Sequence, residues 1–134
     1  MTIDLSGDKH FGHAVTISIE ALKALLLVNG GAATALIALK AKGGGSFVLP
    51  VLFFGLAALL NASTLTLGYF SQLNYANSRF QEESGSPDEA TTSWRSHIRW
   101  QAFAIIVLMI SLAASAGGMV TAFRQIDSTA CGLS

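Results

Sequence analysis

Three long apolar runs, separated by brief polar breaks, set the pattern of this chain. The first is bounded by Lys23 and Lys40, with 16 residues between them; this is roughly 24 Å of helix at 1.5 Å per residue. That falls short of the ~30 Å hydrocarbon core of a bilayer. Both lysines can carry their charges to the interface while their stems stay in lipid, so the pattern predicts a span over about 21–41. The run Lys42-Gly-Gly-Gly-Ser46 then breaks the helix, because glycines turn freely through positive φ. A connection so short makes the second span return antiparallel beside the first. That span is predicted over 47–72, with Pro50 in its first turn, where a missing N–H costs little. Its helix is expected to continue toward Phe80. Residues 81–93 read as an aqueous loop, with Thr92 or Ser93 as the N-cap of a third helix. After a wet turn from Trp94 to Trp100, a third span is predicted over 101–123. Residues 1–13 and 126–134 read as polar tails. No segment alternates as a barrel strand would, so the fold class is all-α: one membrane domain of three transmembrane helices, the first two an antiparallel hairpin.

Composition agrees with this pattern. The chain of 134 residues is 51% hydrophobic and 12% charged, against ~25% charged in soluble domains. Its mean hydropathy is +0.53. Lys plus Arg and Asp plus Glu are 8 each, which leaves no basic surface for nucleic acid. A single cysteine, Cys131, excludes an internal disulfide framework and a cysteine metal cluster. The 23 residues up to Lys23 carry Asp4, Asp8 and Glu20, unlike the short basic lead of a cleaved signal. Lys9, Lys23, Arg79, Arg95 and Arg99 fall on the side of the N-terminus and loop, and Lys40, Lys42 and Arg124 on the other. This bias favours a cytoplasmic N-terminus.

Candidate chemistry sits inside the spans. Asn29 and Asn61 lie at similar depth, and an amide in lipid needs a partner. The expected role is an interhelical hydrogen bond with Thr34, Thr64 or Ser111; the alternative is a polar ring lining a pore. Gly30 and Gly31 invite a close helix neighbour, with Ala58 and Ala62 of the second span or Ala114 and Gly118 of the third as candidates. Ser111 and Ser115 complete the polar layer. Glu20 lies near the lipid boundary, level with Arg99. It is expected to form an interfacial salt bridge with Lys23 or Arg99, a coupling site for a cation being the alternative. His10, His13 and His97 are expected to be interfacial polar residues rather than a metal or quinone site. Enzymatic motifs are absent: there is no phosphate loop, GxSxG elbow, HExxH or dinucleotide fingerprint. No catalytic, metal-binding or cofactor-binding residue is expected.

The block Ala24-Leu-Leu-Leu-Val-Asn-Gly-Gly-Ala-Ala33, the exit Tyr69-Phe-Ser-Gln-Leu73 and the tryptophan-rich entry to the third span together resemble a group of small bacterial inner-membrane proteins with three or so spans. The resemblance implies a bacterial cytoplasmic membrane and no mechanism. The leading expectation is a non-enzymatic multi-pass protein that acts through helix assembly, as a homo-oligomer or an accessory subunit of a larger membrane complex. A pore former, holin-like or resembling a defence effector, is the first alternative. In that reading Ser63 and Thr66 would help wet a lumen. A small oligomeric transporter coupled through Glu20 is the second.

Overall fold

The computed structural model describes residues 5–42 and 47–131, which form three helices: α1 (Leu5–Ala41), α2 (Val48–Glu83) and α3 (Pro87–Cys131). The expected glycine break at 43–46 lies outside the described residues. Each helix contains a stretch long and apolar enough to cross a membrane. The protein is thus all-α with three candidate spans. The antiparallel arrangement follows from the connections. Residues 42–47 can bridge at most about 22 Å fully extended, whereas a parallel α2 would have to begin some 50 Å back along α1. The three-residue link 84–86 imposes the same reversal on α2 and α3.

The helices run further than the hydropathy pattern predicts. The N-terminal tail is helical from Leu5, the C-terminal tail is helical to Cys131, and most of the expected loop 81–93 is helix too. The reason for the last is local. Gly85 sits at φ 78°, and the N–H groups of Ser86 and Gly85 donate to Gln81 O (2.9 Å) and Glu82 O (3.3 Å). This paired cap ends α2 within one residue of left-handed backbone. Pro87 then starts α3, its fixed φ suited to the first helical position, with Asp88 and Glu89 in the first turn against the positive end of the helix dipole. Thr92 does not cap; its hydroxyl donates back to Asp88 O. Ser93 donates instead across the hairpin to Gln81 Oε1 at 2.7 Å.

The α2–α3 seam follows a seven-residue repeat. Pro50, Ala57, Thr64, Ser71 and Ser78 are buried along α2. Ala90, His97, Ser111 and Gly118 are buried along α3 at the same spacing, with Ala104 half-buried between them. A sustained heptad keeps one face of each helix against its partner over the whole length. The seam holds small and polar residues, while Leu52, Leu59, Ile106, Met109 and Phe123 point outward. Lipid is as apolar as leucine, so only packing, hydrogen bonds and lipid entropy hold the pair; small residues let the backbones close up. Adding a Cβ at Gly118 would place it 3.1 Å from the Phe54 ring.

α1 is held differently. It packs along α2 and barely touches α3. Only 6% of its most apolar stretch is buried, against 28% for α2 and 17% for α3.

Candidate functional site

The polar layer forms at mid-span, from residues on all three helices. Ser111, fully buried, places its hydroxyl 2.9 Å from Ala57 O and 3.0 Å from Asn61 Oδ1. One turn further along α3, Ser115 Oγ lies 2.9 Å from Asn29 Oδ1 and 3.0 Å from Ser111 O. Each hydroxyl has one proton and faces two acceptors, so these four contacts hold two bonds at any moment. Both amide nitrogens, Asn29 Nδ2 and Asn61 Nδ2, are buried without a partner among the described residues. An amide turned over is nearly isosteric. In that orientation each nitrogen would donate to its serine, while each serine donates to a backbone carbonyl, giving four bonds. Either way, one polar atom of each amide stays without a partner.

The expected interhelical bond for Asn61 is therefore made, to Ser111. Asn29 pairs with Ser115 rather than with Thr34 or Thr64. Those two hydroxyls donate within their own helices, to Gly30 O and Leu60 O, as β-hydroxyls in apolar helices commonly do. The expectation for Gly30 and Gly31 needs correcting. Beyond the helix's own backbone, none of the described residues lies within 4 Å of where a Cβ would stand on either residue. The close approach expected there occurs at Gly117 and Gly118, against Phe53 and Phe54. Glu20 pairs with Lys23 at 2.8 Å, both exposed; Arg99 takes no part.

A second cluster lies toward the α2–α3 turn. His97 is buried, with Nδ1 2.9 Å from both the hydroxyl and the carbonyl oxygen of Ser71. A carbonyl can only accept, so Nδ1 carries the proton to it, and the Ser71 hydroxyl donates to His97 O at 3.3 Å. The ring packs against Trp94 and Tyr75, with centroids 5.3 and 5.5 Å away, and those two rings lie 6.2 Å from each other. Trp100 packs on Phe70 nearby, which gives this end an aromatic belt of the kind found at membrane interfaces. The side chains of His10 and His13 lie outside the described residues. Among the described residues, no cluster of histidine, cysteine or carboxylate side chains could hold a metal ion. The His97–Ser71 contact had a readable signal: both residues fall on the small-residue heptad.

Between the first half of α1 and the α2–α3 pair lies a cleft of about 560 Å³, walled by Val15, Ile19, Leu22 and Leu65 and edged by Gln72 and Gln101. A smaller recess of about 220 Å³ shares Gln72 and Gln101 with it and reaches His97.

No protein-family model matches the chain, and no curated protein or solved structure is found to be similar to it.

Proposed function

We propose that this is a non-enzymatic multi-pass membrane protein that acts by assembling helices within the bilayer, as a self-oligomer or as an accessory subunit of a larger complex. The bacterial cytoplasmic membrane, with the N-terminus inside, is the setting that the Lys/Arg bias and the resemblance favour. The observation that carries the reading is the open small-residue face of α1. Leu27, Gly31, Thr34 and Ala35 are exposed, and a Cβ at Gly31 would meet open space. Glycine costs roughly 1 kcal/mol against alanine within a helix. A closely approaching helix from another chain is a physical reason to keep it.

The pore and transporter readings draw less support. The hydroxyls of Ser63 and Thr66 donate to Leu59 O and Ala62 O, so they need no wet lumen. Glu20 is exposed and already paired.

The test is the mass of the protein in lipid nanodiscs, with disulfide trapping of Gly31→Cys in a Cys131→Ser background. A multimer that crosslinks through residue 31, and that Gly31→Leu reduces to monomer, is the expected result for self-assembly. A monomer that never crosslinks would remove the self-oligomer reading. Dye leakage from liposomes at the same protein density separates out the pore former.

A further inference from the structure

We infer that the cleft between α1 and the α2–α3 pair is a binding site for an uncharged glycerolipid, with its head at Gln72, Gln101 and His97. Three observations carry this.

The first is depth. Gln101 precedes the mid-span Ser111 by ten residues, roughly 15 Å along the helix, which is half of a ~30 Å hydrocarbon core. The polar edge of the cleft thus sits at the lipid boundary; Val15, as far before Asn29 as Gln101 is before Ser115, stands level with that edge, and Ile19, Leu22 and Leu65 wall the cleft toward the membrane centre. An occupant entering from lipid would lay a chain against that wall and leave its head at the edge.

The second is unused hydrogen-bonding capacity. The amides of Gln72 and Gln101 have no hydrogen-bond partner among the described residues. His97 has committed Nδ1 to Ser71, so Nε2 is the ring atom left to offer, and in the neutral ring it accepts. A ligand suited to this set presents a hydroxyl to Nε2 and carbonyl oxygens to the amide N–H groups. A diacylglycerol head, with one hydroxyl and two ester carbonyls, has that pattern.

The third is charge. No lysine, arginine, aspartate or glutamate lines the cleft or its recess. A phosphate head would find no cation to neutralise it, whereas a neutral head asks for none.

The experiment incubates the purified full chain, in mild non-ionic detergent, with dioctanoylglycerol and reads retained lipid by native mass spectrometry. One equivalent per chain is expected. Leucine at both Gln72 and Gln101 should weaken retention roughly tenfold, the effect of losing two modest hydrogen bonds. Gly68→Leu is the second variant. Gly68 lines the cleft with open space around it, and leucine is the better helix former, so the fold is kept while the space is filled. It should abolish retention with the protein's mass and helicity unchanged. Retention undiminished by Gly68→Leu would overturn the proposal. So would preferential retention of dioleoylphosphatidylglycerol or decylubiquinone, or no retention at all, which would leave interfacial water as the partner of these groups. A change of oligomer mass in Gly68→Leu would also overturn it, marking the cleft as a seat for another helix.

Discussion

At the scale of single residues, the polar groups inside the spans are the informative ones. Their presence was legible in the sequence, because Asn29, Asn61 and Ser111 interrupt runs of otherwise apolar residues. The pairing of Asn29 was not. Depth along a helix limits the candidates, but the turn of the helix decides which one faces inward, and Ser115 rather than Thr34 or Thr64 takes that place. Ser111→Ala is expected to destabilise the bundle by about 0.6 to 1.7 kcal/mol, from the average to the largest of the interhelical hydrogen bonds measured in a membrane protein. Asn61→Leu combined with it should cost less than the two single changes summed, since both remove one network. Reversible unfolding in mixed micelles measures all three variants, and strict additivity would mean that Asn61 and Ser111 do not share a bond. Glu20→Gln should lower stability by less than about 1 kcal/mol, because its pair with Lys23 stands in the open. A larger loss in the same assay would point to a buried role for Glu20.

At the scale of elements, length and type were readable and the ends were not. Hydropathy reports what lipid tolerates, so it marks spans. α1, α2 and α3 run on past their predicted spans because caps and turn chemistry, not hydropathy, stop a helix. The Gly85 cap with Pro87 behind it was visible as two breaker residues, yet the charges around them read as loop. The α2–α3 seam escaped for a different reason. A seven-residue repeat is normally sought in large apolar residues; here it is carried by Ala57, Thr64, Ser71, His97 and Ser111, with the large residues exposed on the outer faces. Two variants test this picture. Gly118→Leu should disrupt the hairpin far more than Gly31→Leu, because Phe54 already stands against Gly118. Thermal unfolding compares them, and equal melting temperatures would place the tight seam elsewhere. Gly85→Ala should destabilise by about 1 kcal/mol or more, since alanine is strained at positive φ. If it has no effect, the turn can reach another backbone geometry at no cost.

At the scale of the whole molecule, three spans place the 84–86 turn and the C-terminus on opposite sides of the bilayer. Single cysteines at Ser86 and Ser134, in a Cys131→Ser background, should therefore label from opposite faces with an impermeant reagent; equal labelling from one face would refute three crossings. The contact between Ser115 and Asn29 also sets an order of events during synthesis. The serine is made 86 residues after the asparagine it meets, a delay of roughly 4 to 17 seconds at translation rates of ~5–20 residues per second. For that interval α1 carries its amide into the membrane without the hydroxyl that will meet it. A nascent chain halted after α2 has a first helix whose Asn29 amide still lacks the serine that it meets in the full chain.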